Sequence, residues 1–174
     1  MMVPGRDRPK EKAYVIRLAT QADAAAVNML SRGAGLSDGE EELSVLESLD
    51  DEHTWIVLEA QEGVVIGAAY FGPESHSDRV WNLYFLAVSK RSRGGGKGSA
   101  LIAWVEANLR DRGEAVAKLL LIETSSVDSF APTRAFYRRH GYVEEARVRE
   151  YYGPGDDKVV FWKLLNRLSE LHLG

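Results

Sequence analysis

The chain has 174 residues, 45% of them apolar and 28% charged, enough for one domain with a sizeable core. Its formal net charge of −4 argues against whole-molecule attraction to nucleic acid or an anionic membrane. There is no cysteine, which excludes disulfides, thiolate–zinc sites and thiol nucleophiles, and no apolar run approaches the ~20 residues of a membrane-spanning helix.

Residues 1–12, "MMVPGRDRPKEK", lack an apolar stretch and read as a flexible polar tail, not a secretory signal, ahead of a domain over residues 13–170. "AYVIRLA" (13–19) alternates and predicts a strand. Thr20 as N-cap, with Asp23 three residues on, opens a helix that carries Val27 and Leu30 on one face. Ser37 and Glu40 have capping-box spacing and predict a second helix over 37–49. "HTWIVLEA" (53–60) and "GVVIGAAYFG" (63–72) read as strands around a turn at Gln61–Gly63. "RVWNLYFLAVS" (79–89) is apolar enough for a central strand. The glycine-rich "KRSRGGGKGSA" (90–100) follows, and then Leu101, Trp104, Val105 and Leu109 fall at helical spacing before a stop at Gly113. "AKLLLIETS" (117–125) predicts a buried strand and "APTRAFYRRHG" (131–141) a short helix. "YVEEARV" (142–148) and "KVVFWKLL" (158–165) predict two last strands, joined by the turn-rich "YYGPGDD" (151–157). The order is β-α-α-β-β-β-α-β-α-β-β: one mixed α/β domain without internal repeats.

A strand that feeds a glycine-rich loop opening a helix is an arrangement for binding phosphate. The helix start has free N–H groups and partial positive charge, and glycines let the backbone curl those groups inward. A P-loop would need Gly-Lys-Ser/Thr, but the loop reads Gly96-Lys97-Gly98-Ser99. A dinucleotide loop would need a third glycine where Ser99 stands. The pattern that is met is Arg-x-x-Gly-x-Gly, by Arg93, Gly96 and Gly98.

With that loop, with "LAV" at Leu86–Val88 ending the strand before it, and with Phe136-Tyr137 followed by Gly141-Tyr142 in "TRAFYRRHGY", the chain resembles the GCN5-related N-acetyltransferase (GNAT) family over roughly residues 13–165. Its motifs look most like those of the ribosomal-protein N-terminal acetyltransferases. The resemblance implies a mixed, mostly antiparallel central sheet flanked by helices. It implies transfer of an acetyl group from acetyl-CoA to a primary amine by direct attack in a ternary complex. Leu86, Ala87 and Val88 would meet the pantetheine arm, with the Val88 N–H as oxyanion donor. Arg93, Gly94, Gly95, Gly96, Lys97, Gly98 and Ser99 would hold the pyrophosphate. Tyr137 would be the proton donor to the departing sulfur; read from periodicity alone, it is an aromatic core residue on an amphipathic helix. A cytoplasmic monomer or homodimer without metal, nucleic-acid or membrane partners completes the expectation.

The base is less fixed. Many family members carry a Glu four residues before the "LAV"-type segment, where this chain has Asn82, which takes no proton. Glu123 resembles the Glu of the "LEV" segment in the ribosomal-protein enzymes. It could serve as base, or be a strand-end Glu in solvent or paired with an arginine; a water relay with no dedicated base is the third reading. Asn82, Tyr151, Tyr152 and Asp157 are candidate acceptor-binding residues, since a similar tyrosine-bearing connection lies over the acceptor entrance in those enzymes. The tyrosines folded onto a sheet edge are the other reading. The substitution at Asn82 also keeps open a non-catalytic module that senses acetyl-CoA or an amine.

Overall fold

In the computed structural model, which describes residues 14–34 and 52–166, alternating apolar runs become strands and the apolar stripes at helical spacing become helices. The helix predicted over 37–49 lies outside the described residues. The elements are β1 (Tyr14–Leu18), α1 (Ala24–Ala34), β2 (Thr54–Ala60), β3 (Val65–Pro73), β4 (Val80–Val88), α2 (Lys97–Asp111), β5 (Leu119–Ser125), α3 (Ala131–Arg139), β6 (Val143–Gly153) and β7 (Asp156–Leu164). They form one seven-stranded sheet in the order β1-β2-β3-β4-β5-β7-β6. Every neighbouring pair is antiparallel except β4 and β5. This is the mixed, mostly antiparallel sheet that the sequence led us to expect.

Before α1, the Asp23 carboxylate accepts the Thr20 N–H at 2.7 Å and also meets the Arg17 guanidinium at 2.8 Å. Helix α1 then buries Val27 and Leu30 on one face of the sheet, against Trp55, Val57, Ala68, Phe85 and Ala87. The other face packs Ile56, Leu58, Phe71, Leu83, Leu120, Ile122 and Phe161 under Leu101, Ile102, Val105 and Leu109 of α2 and Tyr137 of α3.

β4 serves both cores. Trp81 and Leu83 point toward α2 and α3, whereas Phe85 and Ala87 point toward α1. The register explains the switch: Tyr70 faces Phe85 and Phe71 faces Leu83, which leaves Tyr84 as an extra residue. A one-residue bulge reverses the faces of everything beyond it.

The segment predicted as a loop over 151–157 is mostly strand. β6 runs to Gly153 and β7 starts at Asp156, so the turn itself is Pro154–Gly155, with Gly155 at φ 76. Proline followed by a glycine of positive φ suits a type II turn. Val148 pairs with Lys158 and Gly153 with Asp156, so residues 149–152 bulge opposite Asp157.

Candidate active site

The parallel pairing of β4 with β5 covers only Val80–Leu83 against Leu119–Ile122. Beyond it β4 stays with β3 to Val88, and β5 stays with β7 to Ser125. The bulge at Tyr84 begins where this pairing ends, and a gap opens at the carboxyl ends of two parallel strands. Open α/β sheets bind ligands at such places. The Ser89 N–H donates to Ile66 O at 2.8 Å, toward β3. Alternation along the strand therefore turns the N–H groups of Leu86 and Val88 toward the gap. Arg93 Nε reaches the Val88 carbonyl from that side, at 3.3 Å.

Gly94, Gly95 and Gly96 have φ of 85°, 60° and 76°, three left-handed residues in a row at the head of the 15-residue α2. A Cβ on Gly94 or Gly96 would meet nothing within 4 Å, so conformation and not crowding demands glycine there. Gly98 has a different reason: its Cβ would lie 3.4 Å from the Phe136 ring, where α2 approaches α3. Ser99 has its hydroxyl on His140 Nε2 at 2.9 Å, and the Nδ1–H of His140 donates to Phe136 O at 2.8 Å. Ser99 thus ties the start of α2 to the end of α3. The start of α2 has unpaired N–H groups beside Arg93 and Lys97, an arrangement that favours anions.

Tyr137 and Glu123 lie on opposite faces of the sheet. Tyr137 is 5% exposed, 5.8 Å between ring centres from Phe161, and burial pushes its phenol well above the usual tyrosine value. On β5, Ile122 shares that core with Tyr137, so Glu123 alternates to the other face. There Glu123 accepts Lys158 Nζ at 3.1 Å. Burial disfavours the Lys158 charge, but the Glu123 carboxylate outweighs it and holds the ammonium above its usual value. The same ammonium sits 3.9 Å over the Tyr151 ring.

Asn82 is 2% exposed, on the Glu123 face, and its Nδ2 donates to Glu74 Oε1 at 2.6 Å. Tyr84 stands beside it. Burial first, then the Glu74 carboxylate, push its phenol up to about 12, and Glu123 contributes in the same direction. Tyr70 stacks on Trp55 at 4.6 Å and lies 5.5 Å from Tyr84. The sequence reasoning missed Glu74, Tyr84 and Lys158. The run of apolar residues around Tyr84 hid the bulge, and Glu74 sits in a stretch that reads only as a turn. The Asp157 carboxylate accepts the Glu150 N–H at 2.9 Å, where Glu150 has φ 53. That bond fixes the β6 bulge, which leaves Tyr151 and Tyr152 about half exposed and edge to face at 5.0 Å. Burial and the nearby Glu123 raise the Tyr152 phenol, so that side chain belongs to the same neighbourhood. Among the described residues no group of three or more His, Cys, Asp or Glu is placed to hold a metal ion.

No curated protein sequence matches the chain. Solved structures do. A GNAT-family protein from Desulfovibrio desulfuricans superposes with a TM-score of 0.78 at 28% identity, over 88% of this chain and 99% of that one. The ribosomal-protein-S18-alanine N-acetyltransferase of Escherichia coli gives 0.72 at 18% identity, over 92% and 99%. YncA from Salmonella typhimurium, solved with acetyl-CoA, gives 0.70 at 20% identity, over 88% and 94%. The last two show likeness of fold. The model of the acetyltransferase (GNAT) domain matches residues 50–144, from the start of β2 through the glycine loop and α3. The splayed β4–β5 pair and the left-handed glycine loop thus fall within a matched domain, and this chain belongs to the GNAT acetyltransferase family.

Proposed function

We propose that the chain moves an acetyl group from acetyl-CoA to a primary amine, which attacks directly in a ternary complex. One observation carries the reading. Tyr137 packs on Phe161, which pairs with Ile122 where the β4–β5 pairing ends, and Glu123 follows Ile122 on the other face of the sheet. The solved neighbour that holds acetyl-CoA supports the choice of coenzyme. Its diphosphate would rest on the amides of residues 93–99, and its pantetheine arm along Leu86–Val88. The thioester oxygen would accept the Val88 N–H as negative charge develops on it, a donor arrangement that needs no reorganisation during reaction. Tyr137 keeps its proton at neutral pH and supplies it to the departing thiolate. An alkylammonium has a pKa near ~10, so it must lose a proton before attack. Glu123 takes that proton directly or through water.

The bond from Lys158 to Glu123 favours a second reading, because it already occupies the carboxylate that would take the proton. In that reading the domain binds acetyl-CoA or an amine and transfers nothing. Thiol release from acetyl-CoA over a panel of polyamines, amino acids, aminoglycosides and peptides with free N-termini or lysines decides between them. Release with one amine class supports transfer. Tight acetyl-CoA binding with no release for any class supports the sensor.

A further inference from the structure

We propose that Asn82 and Glu74 form a pair of acceptors that holds the attacking group as a primary ammonium and selects it over a hydroxyl. The inference rests on the reading that this chain acetylates an amine, and it names how the amine is recognised. Asn82 pairs with Leu121 next to the last paired position of β4 and β5, at the floor of the gap. A carboxylate only accepts, so the 2.6 Å contact with Glu74 Oε1 fixes Nδ2 on that side of the Asn82 amide. Its Oδ1 is then left buried with no hydrogen-bond partner. A buried carbonyl without a donor is unfavourable, and native structures leave few such groups without a reason. The second carboxylate oxygen of Glu74 has no hydrogen bond among the described residues.

Two independent features indicate what the donor is. After burial, the Glu74 carboxylate does most to raise the Tyr84 phenol, so its charge bears on the space beside that ring. The Trp55, Tyr70 and Tyr84 rings form a continuous aromatic wall on the same face, with ring centres 4.6 Å and 5.5 Å apart. Negative charge beside aromatic faces attracts a cation, with an apolar surface for its carbon chain. An ammonium brings positive charge and three N–H donors, whereas a hydroxyl brings one donor and no charge. The Asn82 oxygen takes one N–H, Glu74 supplies the charge behind it, and the nitrogen is held at the floor of the gap, on the face of the sheet opposite Tyr137.

The test uses the amine that gives most thiol release with the wild-type chain, together with its hydroxyl isostere as a competitive inhibitor. Glu74→Gln keeps an oxygen for the Asn82 amide and removes only the charge. KM for the amine should rise about tenfold, the ratio one charge-assisted hydrogen bond corresponds to. The inhibition constant of the isostere and the acetyl-CoA affinity by calorimetry should stay unchanged, and Glu74→Asp should restore part of the loss. An unchanged amine KM overturns the proposal. So does equal weakening of amine and isostere, which would mark Glu74 as a purely structural partner of Asn82. Both outcomes leave N-acetylation standing. If no amine supports turnover in the wild-type chain, the functional reading fails and this inference falls with it.

Discussion

Glu106→Gln tests how α3, and with it Tyr137, is held. Glu106 of α2 is 6% exposed, and its carboxylate accepts Tyr142 Oη at 2.9 Å, Lys163 Nζ at 2.8 Å and Arg110 Nη2 at 2.8 Å. Lys163 also donates to His140 O at 2.8 Å, so the cluster clamps the turn that follows α3 onto β7 and α2. Burial alone would raise the Glu106 carboxyl, but Lys163 and Tyr142 outweigh it and hold it below its usual value. Glutamine keeps the shape, removes the charge, and turns an N–H donor toward one of three donors. Arg110 is 39% exposed and forms an i,i+4 pair that water largely screens, so most of the loss comes from Lys163 and Tyr142. Two such bonds weakened in a buried place correspond to ~2 kcal/mol. For a chain of this size that lowers Tm by about 4–8 °C. The depressed carboxyl contributes its full share above its unfolded value of 4.5 and loses it as the pH falls through the folded one. Thermal unfolding by circular dichroism at about pH 7.5 and at an acid pH below 4.5 should show a larger difference from wild type at the first than at the second. An unchanged Tm near neutrality, or the same deficit at both pH values, would refute the reasoning.

Tyr137→Phe should lower kcat on the order of 10²–10⁴-fold and leave acetyl-CoA affinity unchanged, read by steady-state kinetics and calorimetry; an effect on binding alone would point to packing. Gly96→Val forces a β-branched residue to φ 76 and should weaken acetyl-CoA at least about tenfold, since left-handed backbone costs ~1–2 kcal/mol for ordinary residues. Gly98→Val should instead show first as lost stability, because its new methyls meet the Phe136 ring and not a ligand. Tyr151→Ala should raise the acceptor KM with coenzyme affinity intact; an unchanged KM moves the acceptor away from the β6 bulge.

The sequence alone determined whatever depends on neighbours along the chain. Periodicities of two and of about 3.6 set the strand and helix order, because burial of one face is a local pattern. The glycines at 94–96 announced a loop of positive φ before a helix, since few other residues adopt that backbone without strain. Asp23 beside Thr20 marked a helix start for the same local reason. The tertiary structure decided what depends on register between distant segments. Nothing in "RVWNLYFLAVS" says that Tyr84 is the residue left over, because a bulge exists only relative to the partner strand. Glu74, just past the end of β3, meets Asn82 of β4, and Glu123 meets Lys158 across 35 residues of sequence. Asp157 became the brace of a wide bulge only when β6 and β7 paired out of step. Side chains find such partners through strand register, and register is fixed by the packing of the whole sheet, which no single stretch of sequence encodes.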